Sequence, residues 1–202
     1  MRTPNLAAIF LLMATVASIC PASAEQWRLT LNPAASEAHF GLETTLHRVE
    51  GTLYLQTGEI LFDLDSGAAS GEVTLDATRT ETGNQARDKK MHRAVLESAL
   101  YPTITFHPLS ISGRLGPDKR GALTLEGRVT IHGETHPLRL EADVMIDGGQ
   151  ATGEAVFEIP YAEWGMRNPS LLMIRVAKEV QVELRAVGRL DPASATAASV
   201  SH

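Results

Sequence analysis

The histidines of this 202-residue chain are the first residues whose spacing suggests a chemical site. His132 and His136 flank a glycine turn, and residues four apart on a hairpin can face each other across its two strands. A closed metal site needs three or four converging ligands, so a third would have to come from a distant residue such as His39 or His107. Because two scattered histidines on a turn are more often solvated than ligating, we expect no metal site.

Motifs for covalent catalysis or phosphate binding are missing from the sequence. It contains no G-x-S-x-G nucleophile elbow, no G-x-x-x-x-G-K-[ST] phosphate loop and no H-E-x-x-H zinc motif. The carboxylates of Glu141 and Asp143 alternate with apolar residues, which places them on the wet face of a strand instead of in an acid–base pair. The sequence therefore predicts a protein that is not an enzyme and needs no cofactor.

One segment is unusually rich in hydrogen-bonding side chains: residues 78–88, TRTETGNQARD. Thr80, Asn84, Arg87 and Asp88 lie in it, directly before or within a predicted helix. Such side chains could cap the helix and fasten the loop. They could equally contact the polar head of an amphiphile, and the sequence leaves both interpretations open.

The elements that must position these residues are mostly strands, because apolar and polar residues alternate with a period of two from Gln26 to Leu190. The run E-V-Q-V-E-L-R-A at 179–186 is the strictest example. The predicted strands are 27–31, 36–44, 51–56, 59–64, 71–77, 103–112, 123–131, 138–144, 150–159 and 179–186.

Short glycine-containing turns connect several of these strands, which favours hairpins between neighbours in sequence. A meander of eight or more strands closes naturally into a barrel, because closure removes its exposed edges. The sequence thus predicts an all-β antiparallel barrel, and a two-sheet sandwich is the alternative. A single short helix is predicted over Asn84–Leu96, anchored by Met91 and Val95.

The first 24 residues have the pattern of a cleavable secretory signal. Arg2 precedes an apolar run at 6–16, and A-S-A at 22–24 predicts cleavage before Glu25. A membrane anchor is the alternative, but the run is short for ~30 Å of hydrocarbon. Cys20, the only cysteine, falls inside this signal. We therefore expect a cysteine-free mature barrel over residues 25–190 and a disordered tail at 191–202.

The charge balance excludes one class of partner. The formal net charge is −6, and no basic cluster is longer than Lys89-Lys90. Because phosphate backbones are bound by concentrated basic faces, we expect no nucleic-acid partner, and stable membrane insertion is not expected either.

Several runs, in order along the chain, carry a resemblance to a known family. They are S-E-A-H-F at 36–40, G-T-L at 51–53, G-E-I at 58–60, T-x-x-x-N-x-x-R-D-x-x-M at 80–91, Y-P-T-I-T-F at 101–106, L-x-G-x-V-T-I-H-G-E-T-H-P-L at 125–138, W-G at 164–165 and E-V-Q-V at 179–182. Across residues 26–190 the chain resembles the YceI-like family of exported polyisoprenoid-binding proteins.

The resemblance implies a lipocalin-like barrel of about eight strands in a Gram-negative periplasm. It also implies a long apolar cavity that holds an isoprenoid, quinone-like or other amphiphilic lipid without catalysis, and a homodimer is an open expectation. The expected cavity residues are Phe40, Leu42, Val73, Leu75, Met91, Leu125, Val129, Ile131, Leu138, Leu140, Trp164 and Val182. Aromatic residues are only 5% of the chain, so large rings are not expected to fill the centre. Two alternatives stay open: a filled barrel that acts through its surface as an interaction or stress-response protein, and a lipid-modifying enzyme.

The sequence departs from the family pattern near the expected head-group site. Many relatives have a histidine two residues after the Arg-Asp pair, whereas this chain has Lys90 there. Trp164 stands where phenylalanine is common. The expected head-group contacts are therefore Thr80, Asn84, Arg87, Asp88 and Lys90, and the cation of Lys90 would favour an acidic head such as phosphate or carboxylate.

Overall fold

The computed structural model of the protein describes residues 25–170 and 175–193. The predicted signal, residues 1–24, and most of the predicted tail lie outside the described residues. Nine strands and one helix occur in the described part, as follows: β1 Trp27–Leu31, β2 Glu37–Leu42, β3 Val49–Phe62, β4 Ala69–Glu81, α1 Gln85–Ala94, β5 Thr103–Gly113, β6 Arg120–Ile131, β7 Glu134–Asp147, β8 Gln150–Ile159 and β9 Val180–Pro192.

The strands form one closed antiparallel sheet. From β3 to β9 each strand pairs with the next one in the chain, and the ring is completed through β1 and β2. β1 and β2 lie end to end in a single position, since each pairs with β3 on one side and β9 on the other. Nine strands therefore occupy eight positions. This confirms the prediction of an eight-stranded antiparallel barrel with one short helix and excludes the sandwich.

The predicted division of residues 51–64 into two strands, 51–56 and 59–64, is wrong, because β3 is one continuous strand of 14 residues. Its pairing with β4 shifts register between Thr52 and Tyr54 and again between Leu55 and Thr57. Leu55 lines the barrel interior before the second shift and Ile60 after it, so this bulge exchanges the inward and outward faces of the strand. The apolar alternation therefore breaks at Thr57-Gly58, and the break resembles a turn in the sequence.

Gly58 is needed at this bend because β1 approaches it closely. A Cβ atom on Gly58 would lie 2.6 Å from Cδ1 of Leu31, which is far inside van der Waals contact. The glycine therefore reflects a close approach between two strands, not a reversal of the chain.

The other element bounds differ from the predictions mainly in length. β4 continues to Glu81, so Thr80 belongs to a strand and not to the polar loop. β9 continues to Pro192, two residues beyond the predicted end of the barrel, and there Asp191 and Pro192 pair with Arg28 and Trp27. Long strands are favoured in a closed barrel because their main-chain N–H and C=O groups can hydrogen-bond to a strand on either side.

The helix α1 starts and ends close to its predicted bounds. Asn84 is its N-cap, and its side chain accepts hydrogen bonds from the N–H groups of Ala86 and Arg87, both at 3.1 Å. In the last turn of α1 the His92 ring contacts Ser98 Oγ at 2.9 Å, which fixes the chain as it turns back toward β5. In the described part of the chain, no helix has both the length and the apolar character needed to cross a bilayer.

Candidate functional site

The barrel encloses a cavity of about 680 Å³. This volume lies within the range of about 300–1,000 Å³ that is typical of small-molecule sites. A more open depression of about 500 Å³ lies outside the barrel beside the β7–β8 turn, where Gly148, Gly149 and Gln150 border it. The interior cavity is the stronger candidate, because enclosure removes an apolar ligand from water on all sides.

The cavity wall is built from the inward faces of the strands. All twelve residues expected from the sequence line it: Phe40, Leu42, Val73, Leu75, Met91, Leu125, Val129, Ile131, Leu138, Leu140, Trp164 and Val182. The outward residues between them, such as Glu141 and Asp143, are exposed. The strict period of two in β6, β7 and β9 explains why the sequence places these side chains correctly. That they bind a ligand stays a prediction.

Small inward residues keep the interior hollow. Along β8 the inward positions are Ala151, Gly153 and Ala155, and Ala142 on β7 and Ala186 on β9 continue the same patch. A Cβ atom added to Gly153 would meet only Val144 Cγ2, at 3.8 Å. An interior with large side chains at these positions would be filled, so the cavity follows from their small volume.

One end of the barrel is the mouth, framed by α1, by the loop of residues 43–48 and by the segment after β8. The apolar face of α1 and the residues after it, Met91, Val95 and Leu96, line the cavity from above. Leu46 also lines it, although its side chain is 68% exposed. An apolar ligand would therefore meet exposed apolar surface as it enters or leaves.

Buried hydrogen bonds hold the described segment after β8 in place. Tyr161 lines the cavity and donates its hydroxyl to the carbonyl of Ala177 at 2.6 Å. Asn168 donates to that hydroxyl at 3.0 Å and also to the carbonyls of Val176 and Ala177. Burial raises the pKa of the Tyr161 phenol above its ordinary value, and the hydrogen bond from Asn168 only partly opposes this. Tyr161 therefore acts as a neutral structural donor.

The five residues expected to contact a head group separate into two sets. Thr80, Arg87 and Lys90 line the cavity at its mouth. Asn84 is absent from the wall and caps α1, while Asp88 accepts hydrogen bonds from the N–H and hydroxyl of Thr82. Asn84 and Asp88 therefore have a structural role, which agrees with the interpretation that polar side chains of this segment cap the helix and fasten the loop.

The two histidines beside the β6–β7 turn have different surroundings. The His132 ring contacts the carboxylate of Glu97 at 2.6 Å, and His136 stacks on Trp164 with ring centroids 4.4 Å apart. Within residues 25–170 and 175–193, no three His, Cys, Asp or Glu side chains gather as a metal site would require.

Sequence reasoning missed several residues of the wall. Thr82 lines the cavity and holds Arg87, and the rings of Phe106, Phe157 and Tyr161 project into the interior with Phe40 and Trp164. Alternation within β5 and β8 would have identified both phenylalanines. No local pattern marks Tyr161, because it lies in an irregular segment that only the closed barrel brings to the mouth.

Comparison with known proteins agrees with this architecture. The chain is similar to the structure of BcnA from Burkholderia cenocepacia, with a TM-score of 0.64, 19% identity and coverage of 78% of this chain and 98% of that one. It is also similar to a structure described as a polyisoprenoid binding domain from Saccharophagus degradans, with a TM-score of 0.65, 15% identity and coverage of 81% and 98%. At these identities the likeness concerns the fold alone.

The sequence comparisons identify the family. The chain is 33% identical over 105 residues to Protein YceI of Escherichia coli O17:K52:H18 (strain UMN026 / ExPEC). That match covers 51% of this chain, and the chain spans about half the length of that relative, 52%. Residues 29–188 match the family described as the YceI-like domain. Because this match includes nearly the whole barrel, the chain belongs to the YceI-like family.

Proposed function

We propose that this protein binds an isoprenoid or other long-chain amphiphile inside its barrel and carries it in the periplasm without chemical change. The observation that carries the proposal is the hollow interior of about 680 Å³ with an almost wholly apolar wall. Membership of the YceI-like family supports it, as does the likeness to a structure described as a polyisoprenoid binding domain.

The physical basis of binding is the burial of apolar surface. Removing an isoprenoid chain from water contributes about 25 cal/mol for each Å² of apolar surface that is buried. The wall offers branched aliphatic and aromatic side chains such as Val129, Leu138 and Phe157, which can pack against the methyl branches of such a chain. Affinity should therefore rise with chain length until the cavity is full.

The interior does not favour the two alternatives. A barrel that acted only through its outer surface would gain by filling its core, yet small residues such as Gly153 leave this one hollow. An enzyme would need an acid, base or nucleophile held against a partner in the cavity. The ionisable side chains that the described wall contains are Glu37, His47, Arg87, Lys90 and Tyr161, and no two of them hydrogen-bond to each other.

The decisive experiment blocks the cavity from within. Gly153→Leu places a large apolar side chain in the interior, where a Cβ atom meets only ordinary contact. We expect this variant to fold and to lose at least tenfold in affinity for a fluorescent C20 isoprenoid probe, because the buried probe surface shrinks. Native mass spectrometry of protein purified from its host should show bound lipid for the unchanged chain and little for the variant.

Thr152→Leu is the matched control. Thr152 is the neighbour of Gly153 on β8 and belongs to the outward face of the strand, so the same bulk is added outside the barrel. Its probe affinity should stay within about twofold of the unchanged chain, since the cavity wall is untouched. Equal affinity of all three proteins, or no lipid and no probe uptake by the unchanged chain, would refute binding in the cavity.

A further inference from the structure

A polar corner interrupts the apolar wall where β4 ends and α1 begins. Thr80, Thr82, Arg87 and Lys90 all line the cavity there. Thr80 and Thr82 are two residues apart, so at most about 7 Å separates their Cα atoms. Other polar residues of the wall lie elsewhere, with Ser36 and Glu37 beside the gap between β1 and β2 and Thr44 and His47 in the loop of residues 43–48.

Thr80 carries a buried hydroxyl that the protein does not use. The residue is 2% exposed, and its Oγ1 has no hydrogen-bond partner within the described part of the chain. A buried hydroxyl without a partner destabilises a fold, and valine has nearly the same shape without that cost. Because its Oγ1 has almost no surface that water can reach, this hydroxyl is a cost to the fold and does not itself contact a ligand.

The side chain of Arg87 is held in a fixed orientation at the mouth of the cavity. Its Nε donates to Thr82 Oγ1 at 2.7 Å, and its Nη2 donates to the Thr82 carbonyl at 2.9 Å. These bonds involve two of the five N–H groups of the guanidinium. The Thr82 hydroxyl in turn donates a hydrogen bond to the carboxylate of Asp88. Asp88 is therefore linked to Arg87 through the Thr82 hydroxyl and forms no salt bridge with it.

Lys90 adds a second cation to the same corner. It lies one helical turn after Ala86 on the face of α1 that borders the cavity, and its Nζ donates to the carbonyl of Pro169 at 3.1 Å. Neither Arg87 nor Lys90 forms a salt bridge with any residue of the described ranges, although seven other basic side chains do. The corner therefore has positive charge that faces an apolar cavity.

We propose that the ligand is an amphiphile with an anionic head, phosphate or carboxylate, seated against the cations of Arg87 and Lys90, which lie three residues apart on α1 and both line the cavity. The apolar chain would extend down the barrel from this point. This inference rests on the proposed function and adds the chemical class of the head. Hydrogen bonds from cations to oxyanions are short and about twice as strong as those between neutral groups, so the head would add affinity to that of the chain.

The test compares C20 isoprenoids that share a chain and differ in the head: geranylgeranyl phosphate, geranylgeranoic acid and geranylgeraniol, with the hydrocarbon phytane as a headless reference. Binding to the full mature protein is measured by competition with a fluorescent probe below the critical micelle concentrations. We expect the phosphate or the acid to bind about tenfold tighter than the alcohol, and this preference to shrink at high salt. The phosphate and carboxylate arms identify which anion is preferred.

Variants assign the preference to the corner. Lys90→Gln should reduce the preference for the anionic head several-fold. Lys89→Gln should leave it unchanged, because Lys89 is exposed as Lys90 is but does not line the cavity. Thr80→Val should leave binding of the anionic ligand and of phytane unchanged and raise the melting temperature of the empty protein, because it removes a buried hydroxyl without a partner. Arg87→Gln should act like Lys90→Gln, provided that circular dichroism shows a folded barrel.

Equal affinities for the alcohol and both anions would overturn the inference, as would identical behaviour of Lys90→Gln and Lys89→Gln. In either case the proposed lipid-binding function would still stand, because the C20 chain would still bind. Failure of all four ligands, including phytane, would instead refute the proposed function itself. The two failures are therefore distinguishable.

Discussion

At the scale of single residues, two buried polar atoms have no partner in the described ranges: Thr80 Oγ1 and His136 Nε2. Thr80 borders the cavity wall, but its hydroxyl has almost no surface that water can reach, and His136 is covered by the ring of Trp164. Each unsatisfied atom is therefore a cost to the fold.

We expect His136→Phe to raise the free energy of unfolding by about 1 kcal/mol, because it removes a buried unsatisfied nitrogen and keeps an aromatic ring on Trp164. Urea denaturation followed by tryptophan fluorescence measures the change. His132→Phe is the control, since it removes the contact with Glu97 and should be destabilising. A similar loss in both variants would show that Nε2 of His136 has a partner.

At the scale of elements, α1 determines the shape of the mouth. It presents Ala86, Arg87, Lys90 and Met91 to the cavity, yet none of its residues is fully buried. A ten-residue helix with so little packing depends strongly on its ends. The stability of α1, and with it the structure of the mouth, therefore depends more on its capping than on its intrinsic helix propensity.

Asn84→Ala removes the N-cap and should destabilise the protein by about 1 kcal/mol, because the N–H groups of Ala86 and Arg87 lose their acceptor. Asn84→Asp keeps an acceptor oxygen and should cost little. Chemical denaturation gives the stabilities, and hydrogen exchange of α1 amides locates the change. Unaltered exchange in Asn84→Ala would contradict a capping role.

The β3–β4 turn at the other end of the barrel is organised by one carboxylate. Asp63 accepts hydrogen bonds from the Ser66 hydroxyl at 2.7 Å and from the N–H groups of Asp65 and Ser66. These hydrogen bonds lower the pKa of Asp63 below its ordinary value of 3.8, and the bond from the Ser66 side chain has the largest effect. The unfolded chain therefore holds this proton at pH values where the folded protein has released it.

Stability contributed by Asp63 should be complete above about pH 4 and should fall as the pH drops through its lowered folded-state pKa. Melting curves between pH 2 and pH 7 test this for the unchanged chain and for Asp63→Asn. The variant should melt at a lower temperature at pH 7, and the difference should shrink in acid. Asp65→Asn, at an exposed neighbour, should show no such difference.

At the scale of the whole molecule, a closed barrel satisfies its main chain while leaving a hollow centre. Closure through β1 and β2 leaves no sheet edge between β3 and β9. Main-chain hydrogen bonds therefore run around the whole ring, and the barrel does not need side chains that fill its centre along the full length. Three buried clusters pack around the cavity instead, centred on Phe106, Phe62 and Tyr161. A cysteine-free mature barrel would depend on these clusters alone.

The export prediction concerns the whole chain and is tested by processing. Expression of the full sequence in a Gram-negative host should give a periplasmic protein whose first residue is Glu25, because A-S-A at 22–24 has the pattern that predicts signal-peptidase cleavage. N-terminal sequencing after osmotic-shock fractionation provides the measurement. An intact Met1 end in the membrane fraction would support an anchor, and Ala24→Leu should block cleavage.

The sequence by itself determined the all-β class, the single helix and the inward residues of strands such as β6, β7 and β9. Those features depend on local periodicity, which is encoded over a few residues. The resemblance added the barrel type, and expected cavity residues such as Phe40 and Val182 line the interior. Periodicity failed at Thr57-Gly58, where the second of two register shifts exchanges the inward and outward faces of β3.

Only the tertiary structure decided which polar residues of segment 78–88 serve the fold and which face the cavity. Asn84 and Asp88 find partners within a few residues, whereas Thr80 and Arg87 reach the cavity because β4 continues to Glu81 and α1 folds across the mouth. The interior volume was likewise decided in three dimensions, since small residues such as Ala151, Gly153 and Ala186 leave a cavity only when closure places their strands side by side. These properties depend on contacts between distant parts of the chain, which a local pattern cannot encode.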